Sequence, residues 1–288
     1  MIKEILEQLA PLDAQIAALK GSGNEMDAIT AHASELAELA VEEDEILRTC
    51  GPLFLARHPE RPHIDETVSA LFTDFFEQRG DRQCKEDPAI LGGIARFHGL
   101  PVTVIGHRKG STLEENLACN FGIITFIDTP GAYPGKDAEE RGQGEAIARN
   151  LMEMSGLTVP VIAVVTGEGS SGGALALGVA NHILMLENAV YSVLSPEGFA
   201  SILWKDASRS GEACEMMKLT AQDLYSDGIV EQVIPEPLGG AQRSHAALFE
   251  QLDVALRVHL KELCRMSGRQ LADQRYKKYR QIGETRNA

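Results

Sequence analysis

Short apolar runs alternate with helical stretches through the middle of this 288-residue chain. The runs are IITFIDT at 123–129, VPVIAVVTG at 159–167 and HILML at 182–186. A run of about four to eight apolar residues bounded by turns is typical of a strand that is buried on both faces. Such strands need helices on both sides of a parallel sheet. The pattern therefore predicts an α/β fold built from βαβ units.

Two helix starts and a pair of strands are predicted around these runs. Residues 89–110 indicate two strands joined by a His-Gly turn at 98–99. Asp65 is placed to cap a helix, and the D-x-x-E spacing of Asp137 and Glu140 is that of a capping box. The apolar face predicted for the first of these helices consists of Val68, Leu71, Phe72 and Phe75.

The chain divides into three predicted parts. Residues 1–55, rich in Ala, Leu and Glu, indicate a helical N-terminal arm that packs on the body or on a partner subunit. Residues 56–243 form the main domain, which follows a proline-rich break. Residues 244–288 form a C-terminal helical extension, whose basic tail at 269–281 is expected to be a solvated or partner-facing helix. A phosphate contact is the alternative for that tail.

Composition excludes several classes of function. The chain has 27 Lys and Arg against 42 Asp and Glu, a net charge of -15, which disfavours binding to nucleic acids and anionic membranes. Its five cysteines are scattered without C-x-x-C, so no metal site and no disulfide framework is predicted. With no signal sequence and no apolar run of membrane-span length, a cytoplasmic location is expected.

A glycine-rich stretch, VTGEGSSGGALALG at 165–178, follows one apolar run and opens a predicted helix. It contains a G-x-G-x-x-G dinucleotide fingerprint, and Glu187 lies where an acid would follow the next strand. The crossover after Gly173 is short for that motif. The stretch also contains G-x-S-x-G, with Ser171 at the position of a hydrolase nucleophile. The fingerprint glycines are Gly167, Gly169 and Gly172, and the candidate triad partners are Asp206, Asp227 and His245.

A third interpretation gives the same stretch a backbone chemistry. Gly172 and Gly173 would offer N–H groups at a helix N-terminus, where negative charge is favoured. Glycine lets a ligand approach the backbone closely, and such N–H groups stabilise a developing oxyanion. On this stretch alone, a tight turn without a ligand explains the glycines about as well.

Longer segments favour the third interpretation. They are FIDTPGAYPG, AEERGQGEAIARNL, GEGSSGGALALGV, YSVLSPEGFASILWKDAS and VIPEPLGGAQR, in that order. Together they resemble the alpha subunits of bacterial acetyl-coenzyme A carboxylase carboxyltransferase, as do LARHPERP and DPAILGGIAR upstream. The resemblance extends from about residue 57 to residue 243, and the helical arm is also like that of the family.

The resemblance implies both a fold and a reaction. The fold is the crotonase-like ββα superhelix, with its active site at a subunit interface. The reaction transfers a carboxyl group from carboxybiotin, held on the biotin carboxyl carrier protein, to acetyl-CoA. It yields malonyl-CoA in the first committed step of fatty acid synthesis, and biotin carboxylase supplies the ATP-dependent half. The family's alpha subunit works with a beta subunit, in an assembly of two alpha and two beta chains, and is expected to be inactive alone.

The resemblance also assigns site residues. Gly172 and Gly173 match the glycines that form the oxyanion hole for the biotin ureido oxygen. Ser171 matches a serine that is not a nucleophile in the family, whereas Ser170 stands where the family has glycine. A side chain at Ser170 would crowd the turn if that residue needed a positive φ. The residues expected to line the substrate site are Gly131, Ala132, Gly169, Ser170, Ser171, Ser195, Glu197 and Gly198.

One departure from the family is large. Between Gly122 and Ile123 the family carries roughly twenty additional residues, including a helix, so that either a short helix at 113–119 replaces them or the chain omits a segment that covers the sheet. The gap keeps an inactive scaffold or regulatory paralogue as an alternative function, beside an NAD-dependent oxidoreductase.

Two further groups of residues carry weaker expectations. His107, Arg108 and Lys109 follow a predicted strand and are equally compatible with a solvated loop and with an anion contact. Trp204, the single tryptophan, is expected to pack in the core rather than to contact a cofactor.

Overall fold

A mixed sheet lies at the centre of the computed structural model, which describes residues 55–56, 61–79, 90–107, 122–133 and 135–283. Its eight strands follow the order β1-β2-β3-β4-β5-β6-β8, and β7 pairs with the end of β5. The strands are β1 (Thr73–Glu77), β2 (Ile90–Phe97), β3 (Leu100–His107), β4 (Gly122–Thr129), β5 (Val161–Ser170), β6 (His182–Leu186), β7 (Val190–Ser192) and β8 (Gln232–Ile234).

Helices within the described residues cover the sheet. They are α1 (Ile64–Leu71), α2 (Lys136–Glu140), α3 (Gln143–Gly156), α4 (Ser171–Gly178), α5 (Pro196–Trp204), α6 (Ser210–Met217), α7 (Ala221–Ser226), α8 (His245–Leu263) and α9 (Gly268–Gln281). Two short 3-10 turns lie at Ala207–Arg209 and Ala241–Arg243. None of the helices in the described ranges combines the length and the apolar character needed to cross a membrane.

The sheet is parallel from β3 to β8 but begins with an antiparallel edge. β2 and β3 form a hairpin whose turn residues, His98 and Gly99, have φ of 48° and 80°. Two left-handed residues match the twist of the flanking strands, which is why this two-residue turn closes a hairpin. The predicted strand–turn–strand unit is confirmed, and it adds two antiparallel pairings to the predicted parallel sheet.

The apolar runs are buried as the sequence predicted. Residues 161–165 of β5 are 0% exposed, and β6 is buried along its whole length. The small residues of α4 allow that helix to lie close to the sheet, where the Thr125 hydroxyl donates to the Leu177 carbonyl at 2.9 Å. Leucines of α8 join the same core, so the predicted C-terminal extension packs directly on the main domain.

A buried ion pair ties the two ends of the main domain together. The Arg61 guanidinium contacts both carboxylate oxygens of Glu236, at 2.6 and 3.1 Å, and the two side chains are 2% and 0% exposed. Arg61 also donates to the carbonyls of Leu55 and Thr166. Glu236 in turn accepts from the Ala241 N–H at 2.7 Å. The bond to Thr166 ties this ion pair to β5 at the beginning of the glycine-rich stretch.

Two of the predicted helix boundaries are wrong. α1 begins at Ile64 and ends at Leu71, so Asp65 lies in its first turn and Phe75 belongs to β1. The Glu66 carboxylate instead accepts from the His63 N–H at 3.0 Å. The predicted capping box at Asp137 and Glu140 is also absent, because the helix begins at Lys136, two residues earlier than that box requires, and has no side-chain cap.

The prediction for the basic tail holds for one face of the helix, where Arg269, Lys277 and Arg280 are exposed, and fails for the other. α9 docks on the body through its two remaining basic residues. Arg275, 1% exposed, donates to Asn181 Oδ1 at 2.6 Å and to the Leu157 carbonyl. Lys278 pairs with Glu231 at 2.5 Å. Both cations are therefore used within the chain, which leaves neither for the phosphate contact considered from the sequence.

Some of the predictions lie outside the described residues. These include the helical arm up to residue 54, the basic residues Arg108 and Lys109, and the short helix considered at 113–119.

β3 and β4 are parallel neighbours, with Val102 opposite Gly122. Residues 108–121 must therefore provide the whole crossover between them, close to the minimum of about a dozen residues that such a connection needs.

Candidate active site

The loop after β4 and the turn after β5 meet at the carboxyl ends of their strands. Thr129 pairs with Gly169 in the sheet. Gly131 has a φ of 119°, and a Cβ atom added to it would lie 3.0 Å from Ser171 Cβ. A Cβ atom on Gly173 would lie 3.2 Å from both the Gly131 carbonyl carbon and the Ala132 nitrogen. The two loops are therefore in close contact, and a side chain at Gly173 would require the Gly131–Ala132 backbone to shift by a few tenths of an ångström.

Asp128 holds these two strand ends together. Its Oδ1 accepts a hydrogen bond from the Glu168 N–H at 3.0 Å. The same oxygen would be 2.5 Å from a Cβ atom on Gly167, so this glycine is required by the carboxylate. Sequence reasoning used Gly167 in a dinucleotide fingerprint and missed Asp128. The D-T-P-G segment contained the signal, because an acid at a strand end can bond a neighbouring strand's backbone.

The strained residue of the turn is Ser171 rather than Ser170. Ser170 ends β5 with a φ of −120°, so a side chain there is accommodated without strain, although the Ser170 side chain is buried. Ser171 has a φ of 59°. A left-handed non-glycine residue costs about 1–2 kcal/mol and is held only by its surroundings. The expected crowding at Ser170 is therefore not observed.

The first turn of α4 leaves its backbone N–H groups available. The helix has no side-chain cap on these donors among the described residues. Gly172 and Gly173 are its second and third residues and are half-buried. The first N–H groups of a helix have no intrahelical acceptor and carry the positive end of the helix dipole. This end of α4 can therefore receive a negatively charged oxygen.

A third segment lies beside the turn. β7 pairs with the last residues of β5, bringing Ser170 opposite Ser192, whose hydroxyls are 3.4 Å apart. Three residues later the Ser195 hydroxyl accepts from the Gly198 N–H at 3.2 Å and caps α5. The 195–198 turn therefore follows closely, along the chain, the strand that pairs with the end of β5. Glu197 lies in the first turn of α5.

Tyr191 supports the glycine turn from behind and was not identified from the sequence. Its ring would be 3.0 Å from a Cβ atom on Gly169, and its hydroxyl 2.7 Å from one on Gly178. Burial raises the pKa of Tyr191 to about 12. The phenol is therefore protonated at neutral pH and does not provide a base beside the turn.

The hydrolase interpretation finds no catalytic triad. Asp206 accepts hydrogen bonds from Ser208 and caps a 3-10 turn, while Asp227 ends α7. The ring of His245 packs against that of Phe249, with centroids 6.2 Å apart. No described residue forms a hydrogen bond with the Ser171 hydroxyl. The residues proposed as its partners are thus engaged elsewhere.

The dinucleotide interpretation fails on the crossover and on the acid. α4 has eight residues, too short for the crossover helix of a dinucleotide-binding unit. Glu187 accepts a hydrogen bond from the Glu236 N–H at 3.1 Å, which uses one of its oxygens on the backbone after β8. The glycines instead serve the contacts with Asp128 and Tyr191 described above.

The structure also decides two weaker expectations. His107 ends β3 and is 9% exposed, and burial lowers its pKa to about 4 despite nearby Asp128. A neutral imidazole provides no charge for an anion.

Trp204 is half-buried at the end of α5. The guanidinium carbon of Arg209 lies 4.1 Å from the centroid of the Trp204 ring. The prediction that Trp204 packs in the core is therefore wrong.

A family model decides the relationship of the chain to known proteins. The model, described as acetyl co-enzyme A carboxylase carboxyltransferase-like, matches residues 2–124 and 122–283. The chain belongs to this family. A relative from Geobacillus thermodenitrificans, called acetyl-coenzyme A carboxylase carboxyl transferase subunit alpha, is 54% identical over 253 residues, or 80% of this chain and 78% of the relative. A Bacillus velezensis relative of the same name is 48% identical over 310 residues, covering 98% and 95%.

The family match also bears on the gap near Gly122. Its two pieces meet at residues 122–124, where the sequence departs from the family pattern. The alignment with the Bacillus velezensis relative covers 310 residues, more than the 288 residues of this chain. The relative therefore has residues without a counterpart here, and the division of the family match places the break at the start of β4.

Solved structures support the fold. Transcarboxylase 12S with methylmalonyl-coenzyme A bound gives a TM-score of 0.54 at 18% identity, covering 70% of this chain and 42% of that chain. A Pseudomonas malonate decarboxylase hetero-dimer gives 0.54 at 14% identity, covering 70% and 93%. The beta subunit of Pseudomonas aeruginosa geranyl-CoA carboxylase gives 0.52 at 14%, covering 69% and 44%. The predicted crotonase-like fold is confirmed.

Proposed function

We propose that this acetyl-CoA carboxylase carboxyltransferase family member is an alpha subunit. It transfers the carboxyl group of carboxybiotin to acetyl-CoA to form malonyl-CoA. The observation that supports the proposal is the start of α4, where Gly172 and Gly173 present backbone donors beside the Gly131–Ala132 loop. The relatives' shared name gives the reaction, and this turn gives the chain a means of taking part in it.

Gly172 and Gly173 bind the ureido oxygen of biotin in this proposal. Negative charge grows on that oxygen when the carboxyl group leaves, and two N–H groups at a helix N-terminus stabilise it. Removal of one such donor costs about 2.7–4 kcal/mol in known enzymes. The backbone contact between the two glycine loops suits this role, because it fixes the donors before the substrate arrives.

The remaining chemistry needs little from side chains. Biotin supplies the carboxyl group and a ring nitrogen able to take the acetyl proton. Tyr191 is protonated at neutral pH, and the hydroxyl of Ser171 lacks a base among the described residues. The chain then contributes by positioning and by stabilising charge. Gly169, Ser170, Ser171 and the 195–198 turn shape the wall of this site.

An exposed apolar surface next to the site supports a partner subunit. Val193, Ile202 and Leu203 are 76%, 68% and 53% exposed on α5 and the segment before it. Exposed apolar patches of this kind mark protein interfaces. We assign this surface to the carboxyltransferase beta subunit, in an assembly of two alpha and two beta chains. The beta subunit completes the site for the acyl-CoA thioester, and the biotin carboxyl carrier protein delivers biotin loaded by biotin carboxylase.

Reconstitution tests the proposal. The chain is mixed with a beta subunit, a biotin derivative and malonyl-CoA, and acetyl-CoA release is measured. We expect no turnover from the chain alone and turnover with the beta subunit, in step with a heavier species in sedimentation. Full activity without a partner, or tight binding of NADH, would contradict the proposal.

A scaffold or regulatory subunit is the second candidate function. The residues missing near Gly122 favour it, because a covering segment of the sheet is shortened there. This candidate predicts that the complex with the beta subunit forms but releases no acetyl-CoA. Restoring the relative's residues at that position would then recover turnover, whereas the alpha-subunit proposal predicts turnover before the insertion.

A further inference from the structure

A histidine pair lies outside the candidate active site, where α8 meets the start of β6. His182 is the first residue of β6 and 5% exposed, and His259 is half-buried on α8. Their Nδ1 atoms are 2.8 Å apart and the rings are nearly perpendicular, at 84°. Glu262, one helical turn after His259, is exposed. One ligand atom from each of the three lies within 4.8 Å of the others.

We propose that His182, His259 and Glu262 bind a divalent transition-metal ion, Zn²⁺ in the first instance, which links α8 to the central sheet. Two imidazole nitrogens and a carboxylate oxygen, with water as a fourth ligand, are an established donor set for zinc. The sequence predicted no metal, since its cysteines lack zinc spacing. This site uses no cysteine, and its ligands are far apart in the chain.

The geometry requires small movements to hold the ion. Zn–N bonds of about 2.0–2.1 Å in a tetrahedron place two ligand atoms about 3.3 Å apart. The two Nδ1 atoms need to separate by roughly half an ångström, which a small rotation of either ring provides. Glu262 must move inward by more, and its exposed side chain is free to do so. Since this residue is on the surface, the ion can enter from solvent.

The Nε2 atoms of both rings, which are not in contact with each other, lie beside side-chain amides that can orient the rings. His259 Nε2 is 2.8 Å from Gln232 Oε1, and an N–H donated there leaves Nδ1 as a lone pair for the metal. His182 Nε2 is 3.3 Å from Gln274 Nε2. Metal binding therefore requires the Gln274 amide to turn, so that its oxygen accepts from His182. Asn181, which donates to Gln274 Oε1, keeps its other bond, to the Leu271 carbonyl.

The charges around the pair do not oppose a cation. Lys278 is the nearby positive charge, and its ammonium lies 2.5 Å from Glu231 Oε2. Because Lys278 and Glu231 neutralise each other, the carboxylate of Glu262 gives the cluster a net negative charge.

Zinc titration of the metal-free full-length chain tests the proposal, with a chromophoric chelator as competitor and Co²⁺ spectra as a report on coordination. We expect His259→Gln and Glu262→Gln to weaken Zn²⁺ binding at least tenfold. His245→Gln, which removes a histidine from the other end of α8, serves as the matched control and should bind as the parent does. Glu262 is exposed, so its substitution separates loss of a ligand from loss of folding.

Gln274→Glu gives a test in the opposite direction. A carboxylate accepts from His182 Nε2 without rotation, as in carboxylate–histidine–zinc sites, and outer partners of this kind change metal affinity about 10–100-fold. We expect tighter binding and a larger Zn²⁺-dependent rise in Tm. Equal zinc affinity in the parent, His259→Gln and Glu262→Gln, or no zinc binding by the parent, would overturn the proposal and leave a hydrogen-bonded histidine pair.

Discussion

Gly173→Val is the substitution that most directly tests the role of the glycine turn. A Cβ atom at Gly173 lies 3.2 Å from the Gly131 carbonyl carbon and the Ala132 nitrogen, and neither backbone atom can move without shifting its loop. The two γ-methyl groups of valine add to this crowding and displace the N–H donors. One lost oxyanion donor reduces kcat about 100–1,000-fold, so we expect a loss of at least that order in the reconstituted complex.

Two matched variants show whether the loss comes from the donors. Ser171→Ala removes only a hydroxyl, keeps the left-handed backbone and should retain most of the activity, because no covalent intermediate forms on it. Gly156→Ala, at the end of α3, places a Cβ atom in open space and should leave the rate unchanged. Acetyl-CoA release is measured on complexes shown to be intact by sedimentation. An inactive Ser171→Ala beside an active Gly173→Val would show that the serine is a nucleophile and refute the reasoning.

Three other predictions concern stability and assembly. Arg61→Ala leaves the Glu236 carboxylate buried without its cation, so urea unfolding should show a loss of about 3–5 kcal/mol, and an unchanged midpoint would contradict this. The pKa of His107 is lowered to about 4 in the fold, so between pH 6.5 and 4 the unfolded chain binds the extra proton and stability falls with falling pH. The lowered pKa of His107 reduces the free energy of unfolding by up to about 3 kcal/mol at pH 4. His107→Gln should therefore flatten the pH dependence of urea unfolding across that window. Ile202→Glu should prevent binding of the beta subunit in sedimentation, whereas Val258→Glu, at an equally exposed apolar position on α8, should not.

The strands could be predicted from the sequence because their signal is local. An unbroken apolar run such as residues 161–165 is compatible with few environments other than a sheet covered on both faces. The hairpin at His98-Gly99 was similarly visible, since its turn residues tolerate left-handed conformations. What could not be predicted was the place of β7, a strand of three residues that pairs with the end of β5 instead of extending the edge of the sheet.

The glycine turn was predicted as a helix start, whereas the residues that support it were missed. Long motifs placed Gly172 and Gly173 correctly at a helix start, but periodicity does not reveal which residue of a turn is left-handed. The positive φ fell on Ser171 because β5 continues in extended conformation through Ser170. Asp128 and Tyr191 act on glycines distant from them in the chain, and such contacts leave no regular spacing.

The docked face of the basic tail was missed for the same reason. A basic helix facing solvent and one facing buried acceptors have similar compositions. Arg275 and Lys278 find Asn181 and Glu231 only after the sheet has formed. Helix starts were mistaken at Asp137 because a capping box is a statistical preference, and the break at Gly142, with a φ of 82°, divides the segment instead.

The buried pairing of Arg61 with Glu236 sets an order on the synthesis of the protein. The two residues are 175 positions apart, so a ribosome working at about 5–20 residues per second needs roughly 10–35 s to add the carboxylate after the guanidinium. During that interval the nascent chain has no anion for a cation that the finished fold encloses. The upstream hairpin can form early, whereas the ion pair forms only after Glu236, two residues beyond β8, has been added. A translational pause placed before Glu236 would then lengthen exposure to proteolysis, whereas the same pause after α8 would not.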